Sequence, residues 1–208
     1  MNRRELLYAL LLLMVVWAGT AHGADTPPSP PKTAKATFAG GCFWCMQAAF
    51  EGLPGVVSTT VGYTGGTTKD PSYEEVGSGD TGHVEAIQVE YDPDKVRYEA
   101  LLDVFWLNVD PTDSSGQFCD RGTQYRSAIF YHDEEQKRLA EKSKAEIAKE
   151  LKVVDPIVTA IVPASAFYRA EEYHQDFYRK NPLRYREYSK GCGRDGRRAE
   201  VWGRAPAH

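Results

Sequence analysis

Apolar and polar residues alternate along this chain with two periods, and these periods predict its secondary structure. The apolar side chains of Phe43, Met46 and Phe50 recur every three or four positions, which is the spacing of one helix face. Over residues 83–91 they recur at every second position, as in a strand with one buried face. The same reasoning predicts strands over residues 35–39, 56–62, 83–91, 127–131 and 156–162, helices over residues 42–51, 98–107, 133–151 and 171–180, and a short helical turn over residues 73–76.

Helices interspersed with a few strands, without an internal repeat, are typical of an α+β domain. We therefore predict one domain over residues 36–208, a two-layer α/β sandwich around a mixed sheet. The chain has 208 residues, of which 42% are hydrophobic, enough to bury one core. Its formal net charge of −4 argues against a nucleic-acid partner. A monomer is the expected oligomeric state.

The N-terminal segment differs in composition from the rest. Arg3 and Arg4 precede an apolar run over residues 6–18, and small residues follow up to Gly23. This arrangement is typical of a secretory signal peptide. The run is short for a membrane span, so we favour cleavage after residue 23 over an uncleaved anchor. Residues 24–35 are interpreted as a proline-rich linker. We expect export to the periplasm, with no stable membrane insertion after cleavage.

A cysteine stands where the first predicted strand gives way to a helix, in the sequence GGCFWC at residues 40–45. Free backbone N–H groups and the helix dipole stabilise a thiolate at such a position, so Cys42 is the candidate nucleophile. Cys45 follows on the same helical turn, within reach for a disulfide. Other interpretations stay open: a structural disulfide in a binding domain, a zinc site completed by Cys119 and Cys192, or a thioredoxin-like thiol–disulfide oxidoreductase.

A carboxylate lies on a strand face that is otherwise apolar. Alternation over residues 83–91 places Glu85 on the same face as Ile87 and Val89, and Glu90 on the opposite face. If the first face packs on the core, Glu85 is desolvated. Its pKa is then raised, which suits proton donation near neutral pH. The alternative is a buried structural glutamate or a charge on an edge strand.

A polar loop over residues 111–126 contains two further candidates, Asp120 and Tyr125. Functional side chains concentrate in loops that a rigid scaffold positions. Taken alone, the same two residues are equally consistent with capping and closing a turn.

Five motifs, in this order, resemble the A-type peptide methionine sulfoxide reductases. They are GCFW at residues 41–44, GYTGG at 62–66, GHVE at 82–85 followed by YDP at 91–93, QYRS at 124–127, and HQ at 174–175 with NP at 181–182. The resemblance covers nearly the whole predicted domain. It implies a ferredoxin-like core flanked by helices. It also implies reduction of the S epimer of methionine sulfoxide, in proteins and free, and thus the repair of oxidised proteins.

The resemblance also implies a role for each candidate. The Cys42 thiolate attacks the sulfoxide sulfur while a protonated Glu85 donates to the departing oxygen, which leaves a sulfenic acid on Cys42. A second thiol then forms an intramolecular disulfide, and an external dithiol of the thioredoxin type reopens it without a cofactor. The remaining roles are oxygen binding for Tyr73 and Tyr125, ordering of the site for Asp120, and an aromatic wall against the substrate methyl for Phe43 and Trp44.

The resolving thiol is where the chain departs from the common family pattern. Nine residues separate Pro182 from Cys192, whereas many members carry this cysteine closer to the Asn-Pro pair. Glycines flank Cys192 on both sides, so we expect a mobile segment and favour Cys192 as the resolving thiol. Cys45 is the alternative because it lies three positions after the nucleophile. Cys119 is the least suited of the three.

Overall fold

A computed structural model describes residues 32–152 and 154–203. The predicted signal peptide over residues 1–23 and most of the predicted linker lie outside the described residues. Strand pairing begins at Ala34, so the last two residues of that linker belong to the sheet. No helix in the described part of the chain is long and apolar enough to cross a membrane.

One mixed sheet of six strands runs through the domain. Its strands are β1 (Ala34–Gly40), β2 (Val56–Thr64), β3 (Val84–Tyr91), β6 (Ser127–Tyr131), β7 (Ala160–Pro163) and β8 (Phe167–Arg169). The short strands β4 (Gly116–Gln117) and β5 (Asp120–Arg121) pair with each other. The sheet order is β7-β6-β1-β3-β2-β8, and within it only β6 and β7 run parallel.

Helices connect these strands and follow the last of them. They are α1 (Phe43–Phe50), α2 (Tyr73–Ser78), α3 (Tyr98–Leu107), α4 (Glu134–Ile147), α5 (Phe177–Lys180), α6 (Pro182–Gly191) and α7 (Arg194–Trp202). The path β1-α1-β2-β3-α3-β6, with strand order β6-β1-β3-β2, is the ferredoxin-like arrangement. The predicted α+β fold class is confirmed.

The main core lies between one face of the sheet and the helices α1, α3 and α4. Phe38 of β1 is central to it, with its ring stacked on Phe50 at 5.2 Å and on Phe105 at 5.3 Å. The next residue, Ala39, points to the other face and joins a smaller cluster with Ala86. Strand alternation thus separates a helix-covered layer from a thinner one.

The predicted helix over residues 171–180 is wrong for most of its length. Only Phe177–Lys180 is helical, because Asp176 adopts a left-handed backbone with φ of 55°. The side-chain amide of Gln175 instead pairs with both the N–H and the carbonyl of Val61 in β2. A tertiary contact therefore replaces local helix formation in this segment.

Other differences concern ends and short elements. The strand predicted over residues 156–162 is the shorter β7, and the helix predicted over residues 133–151 ends at Ile147. Strand β8 and helices α6 and α7 were not predicted. Helix α6 has no fully buried residue, so it lacks the apolar stripe on which sequence prediction depends.

Candidate active site

A cavity of about 270 Å³ opens at the N-terminal end of α1. Segments that are far apart in the sequence meet there, so the fold brings together every residue predicted for the reaction centre and the substrate wall. Cys45 and Cys192 do not line this cavity. The residues that line it are the predicted Cys42, Phe43, Trp44, Tyr73, Glu85, Asp120 and Tyr125, and two that were not predicted, Arg184 and Tyr188.

Two glycines at the end of β1 position Cys42. A Cβ on Gly40 would collide with the sulfur of Met46. Gly41 has a φ of 76°, and a Cβ there would lie 2.5 Å from Cβ of Gln117. Only glycine fits such positions. The chain therefore turns sharply, and Cys42 becomes the N-cap residue of α1, with its carbonyl accepting from the N–H of Cys45 at 3.1 Å.

Cys42 and Cys45 are buried free thiols whose side chains hydrogen-bond to each other. Burial raises the pKa of Cys42 well above its ordinary value, and the nearby Cys45 and Glu85 raise it further. The hydrogen bond from Cys42 lowers the pKa of Cys45 to about 6, and the charge of Arg194 lowers it as well. Within the pair, Cys45 therefore has the lower pKa, because burial raises the pKa of Cys42. The role of Cys42 as nucleophile stays a prediction.

Glu85 lies on the buried face of β3 and is 4% exposed. Burial raises its pKa to about 8, and the charge of Asp120 adds to the shift. The N–H of Phe43 donates to Oε2 at 3.0 Å, which opposes the shift without cancelling it. Glu85 therefore holds its proton at neutral pH. The predicted burial and raised pKa are present, and its role as an acid stays a prediction.

Two tyrosines and an aspartate complete the polar side of the cavity. Burial raises the pKa values of Tyr73 and Tyr125, whose hydroxyls are hydrogen-bonded to each other. Both hydroxyls therefore stay protonated and can donate. The backbone N–H of Tyr73 donates to Glu171 at 2.9 Å, which fixes the start of α2. Asp120 accepts a hydrogen bond from the hydroxyl of Tyr188, and burial raises its pKa.

Aromatic rings form the apolar side. The Trp44 ring stacks on Phe177 at 3.7 Å, and its indole N–H donates to Nδ1 of His174 at 3.0 Å. These contacts fix the orientation of the ring toward the cavity. Phe43 is 1% exposed and packs with Tyr63 in a small cluster separate from the main core. Its spacing in the sequence had indicated packing in the main core instead.

Helix α6 supplies site residues that the sequence analysis missed. The hydroxyl of Tyr188 hydrogen-bonds to Cys42, and that of Tyr185 to Cys45. Arg184 lies at the cavity with its guanidinium over the ring of Phe177. Two tyrosines three positions apart were the only available signal, and without a predicted helix they could not be assigned to one face.

The four cysteines form one disulfide and one pair of free thiols. Cys192 is joined by a disulfide to Cys119, the cysteine considered least suited, while Cys45 lies free beside Cys42. Among the described residues, the one group of close candidate metal ligands is Cys119, Asp120 and Cys192. Its two sulfurs are joined to each other, and it does not include the thiol pair.

A larger groove of about 720 Å³ lies elsewhere, beside Trp106 of α3 and Trp202 of α7. Lysines and acidic residues share its lining with these rings, and no cysteine does. We place the candidate active site in the smaller cavity because the predicted nucleophile, Cys42, and the predicted acid, Glu85, both line it.

A buried thiol pair beside a buried carboxyl of raised pKa indicates a cysteine-dependent oxidoreductase. Known proteins are similar to this chain in sequence and in fold. The family model for peptide methionine sulfoxide reductase matches residues 34–205. Peptide methionine sulfoxide reductase MsrA of Bacillus licheniformis is 54% identical over 169 residues, which cover 81% of this chain and 93% of that protein. Mxr1 of Saccharomyces cerevisiae in reduced form is similar in structure, with a TM-score of 0.69 and 37% identity over 77% of this chain and 92% of that one. Mxr1 in complex with Trx2 has a TM-score of 0.51 and 26% identity over 74% of this chain and 91% of that one.

The chain belongs to the peptide methionine sulfoxide reductase family. Its activity is the thiol-dependent reduction of methionine sulfoxide to methionine, with formation of a cysteine disulfide. The family resemblance and the activity predicted from the five motifs are confirmed.

Proposed function

We propose that the enzyme reduces the S epimer of methionine sulfoxide, in proteins and as the free amino acid, with Cys42 as nucleophile and Glu85 as acid. The observation that carries this proposal is the buried Glu85 carboxyl in the same cavity as the Cys42 sulfur, and burial raises the pKa of that carboxyl to about 8. As the sulfur of Cys42 attacks, its thiol proton passes to its hydrogen-bonded partner Cys45, and Glu85 transfers its own proton to the sulfoxide oxygen. Methionine leaves, and the oxygen remains on Cys42 as a sulfenic acid.

The two sides of the cavity fit the two groups of the substrate. Methionine sulfoxide presents one polar oxygen and one small methyl at the sulfur. The hydroxyls of Tyr73 and Tyr125 bind the oxygen, while Phe43 and Trp44 contact the methyl. Asp120 orders the polar side by accepting from a tyrosine of α6. A sulfoxide of the opposite hand would present its methyl to the hydroxyls and its oxygen to the rings.

Cys45 is the proposed resolving thiol. It is free, it is hydrogen-bonded to Cys42, and it lies three positions along the same helical turn, a spacing that a disulfide can bridge. Cys192 would first have to leave its bond to Cys119. The Cys45 thiolate attacks the sulfenic sulfur, the S–S bond forms and the S–O bond breaks. The oxygen takes up one proton and leaves as water.

An external dithiol of the thioredoxin fold regenerates the enzyme. The likeness to Mxr1, which has been solved in complex with Trx2, supports this choice of partner. The sulfur of Cys42 lines the open cavity and is the one that the partner's thiolate would attack. The test is reduction of the oxidised enzyme by a periplasmic thioredoxin-fold protein. Failure of each such protein to reduce it overturns the assignment.

The signal peptide predicted over residues 1–23 supports export of the mature enzyme to the periplasm, where it would repair oxidised envelope proteins. N-terminal sequencing of the protein from the periplasmic fraction tests this. We expect a chain that begins at Ala24. An intact N-terminus in the membrane fraction contradicts cleavage and favours an anchor.

One experiment tests the chemistry and the resolving thiol together. The reduced enzyme is mixed with a peptide carrying either the S or the R epimer, without external reductant, and its disulfides are then mapped by mass spectrometry. We expect methionine from the S epimer only, with Cys42 joined to Cys45. A bond from Cys42 to Cys192 assigns resolution to Cys192 instead. No methionine from either epimer rejects the proposed mechanism and favours thiol–disulfide exchange.

A further inference from the structure

A second, smaller cavity of about 80 Å³ lies on the other side of the thiol pair. Cys45 lines it together with Tyr185, Arg194 and Arg198, whereas Cys42 lines the substrate cavity. The two sulfurs therefore face different environments. The nucleophile faces aromatic rings and protonated donors, and the neighbouring thiol faces two guanidinium groups at the start of α7.

Arg194 is an unusual cation. It is 3% exposed, its Nη2 donates to the carbonyl of Asn108 at 3.1 Å, and its guanidinium lies 4.1 Å from the ring centre of Phe118. Its Nη1 has no hydrogen-bond partner among the described residues, and no carboxylate of these residues forms an ion pair with it. Burying a charge costs several kcal/mol unless opposite charges lie close by. Asp120 interacts electrostatically with Arg194, and Asp195 lines the same cavity. A thiolate at Cys45, which also lines this cavity, would offset more of the cost.

We infer that Arg194 is a positioning residue of the resolving step, and that its buried guanidinium holds Cys45 as the thiolate that closes the disulfide and leaves when the disulfide is reopened. This inference rests on the proposed resolving role of Cys45. The hydrogen bond from Cys42 is the main cause of the lowered pKa of Cys45, and the charge of Arg194 lowers that pKa further. Burial lowers the pKa of Arg194, but the attraction of the thiol pair raises it on balance. The charged and titratable groups that interact with Cys45 or line its cavity are Cys42, Glu85, Asp120, Tyr185, Arg194, Asp195 and Arg198.

The same charge assists both halves of the cycle. In the closing half, Cys45 attacks as a thiolate and is oxidised, while the sulfenic sulfur of Cys42 is reduced and its oxygen leaves as water. In the reopening half, the external thiolate bonds to Cys42 and Cys45 leaves with the electron pair of the broken S–S bond. A leaving thiol of low pKa departs faster. Arg194 stabilises that leaving thiolate without touching the substrate.

The test compares Arg194→Met, which keeps the bulk of the side chain, with Arg194→Lys, which keeps its charge. Arg198→Met is the matched control, because Arg198 is also buried in this cavity but bonds to the carbonyl of Leu107. In Arg194→Met we expect the apparent pKa of the thiolate absorbance at 240 nm to rise by about one unit. Because Cys45 must be a thiolate to attack, the midpoint of the pH profile of disulfide closure should rise by the same amount, and KM for the sulfoxide should be unchanged. In Arg194→Lys, the thiolate pKa and the disulfide closure should both stay close to those of the wild type. Arg198→Met should change each of them less than Arg194→Met does.

Three results separate failure of this inference from failure of the proposed resolving role. An unchanged titration and closure rate in folded Arg194→Met, with Cys42 still joined to Cys45, overturns the role of Arg194 alone. The inferred role is also overturned if Arg198→Met and Arg194→Met change the thiolate pKa and the disulfide closure equally. It is likewise overturned if Arg194→Lys behaves like Arg194→Met, because Arg194 would then contribute by packing and not by charge. In Cys45→Ser we expect a Cys42 sulfenic acid that dimedone traps. A Cys42–Cys192 disulfide in that variant removes the resolving role itself.

Discussion

At the scale of the residue, burial sets the protonation states of the site. A solvated glutamate is ionised at neutral pH. The side chain of Glu85 in β3 is instead buried against the start of α1, and burial raises its pKa to about 8. The one backbone N–H that reaches it, from Phe43, cannot offset the loss of hydration. The same loss keeps Tyr73 and Tyr125 protonated. One buried carboxyl and two partly buried tyrosine hydroxyls therefore line the cavity together with Cys42.

Replacing Glu85 by Gln should lower kcat/KM for the S sulfoxide by about 100-fold or more, because the amide accepts from Phe43 but cannot give up an acidic proton. In the wild type, activity should fall as the pH rises through about 8, where Glu85 loses its proton. The variant should lack this alkaline limb. Glu90→Gln, on the opposite face of β3, is the matched control and should keep wild-type activity. Unchanged turnover in Glu85→Gln rules out Glu85 as the acid.

At the scale of the element, two helices present matching pairs of side chains to each other. Cys42 and Cys45 are three positions apart at the start of α1, and Tyr185 and Tyr188 are three positions apart in α6. Side chains at this spacing lie on the same face of a helix. Tyr188 therefore bonds to the first sulfur and Tyr185 to the second. The spacing of one pair fits the spacing of the other.

This arrangement predicts separable effects of removing each hydroxyl. Tyr188→Phe should lower the rate of methionine formation roughly tenfold to 100-fold, because the hydroxyl that contacts Cys42 and donates to Asp120 is lost. Tyr185→Phe should act mainly on disulfide closure, because its hydroxyl bonds to Cys45. Rapid-quench measurement of both products checks this. Identical profiles for the two variants contradict the pairing of the helices.

The glycine turn before α1 allows a prediction about stability. Gly41→Ala should lower the free energy of unfolding by about 3 kcal/mol, from the positive φ and the collision with Gln117. Gly52→Ala is the control, since Gly52 has a φ of 85° but open space around the added methyl. It should cost about 1 kcal/mol. Urea unfolding measures both. Equal losses would mean that the contact with Gln117 contributes nothing.

At the scale of the whole molecule, the C-terminal segment covers a ferredoxin-like core that would otherwise leave the thiol pair open. The Cys119–Cys192 disulfide ties the end of α6 to the turn that carries Asp120, across a sequence separation of 73 residues. The ion pair between Arg197 of α7 and the buried Asp110 adds a second tie. These links hold Tyr188 and Arg194 against the two cavities.

Removing the disulfide in Cys119→Ser/Cys192→Ser should destabilise the protein by about 3 kcal/mol, because the unfolded chain regains the freedom of a long closed loop. Unfolding in guanidinium measures the loss. The wild type in reducing buffer should unfold like the variant in oxidising buffer. A variant as stable as the oxidised wild type would show that the remaining contacts alone hold the C-terminal segment.

Glu85 also makes stability depend on pH. A carboxyl with a raised folded-state pKa binds its proton more tightly in the folded protein than in the unfolded chain, so its contribution is lost as the pH rises from 4.5 to about 8. The free energy of unfolding of Glu85→Gln, relative to that of the wild type, should rise by at most roughly 1.4 kcal/mol per pH unit in that window. Unfolding at about pH 5 and about pH 8 tests the sign. A constant difference contradicts a folded-state pKa near 8.

The local patterns of the sequence determined much of the result. Helix spacing and strand alternation predicted α3 and β6 with their observed bounds, and the phase of β3 placed Glu85 on the buried face. The two glycines before Cys42 predicted a helix start at the nucleophile. Each of these depends on neighbours within a few residues, so the sequence carries the information directly. The five motifs then indicated the family.

Tertiary structure alone decided the rest. Helix α6 forms on the surface of the domain without an apolar stripe, so no periodicity indicated that Tyr185 and Tyr188 reach the thiol pair. The Cys119–Cys192 pairing requires two segments to meet across the fold, and spacing along the chain cannot specify that. The lowered pKa of Cys45 depends on its hydrogen bond with Cys42 and on Arg194, which lies in a helix far along the chain, while burial raises the pKa of Cys42. The sequence by itself predicted which residues react. The three-dimensional packing decided their protonation states and partners, because hydration and charge depend on distance in space.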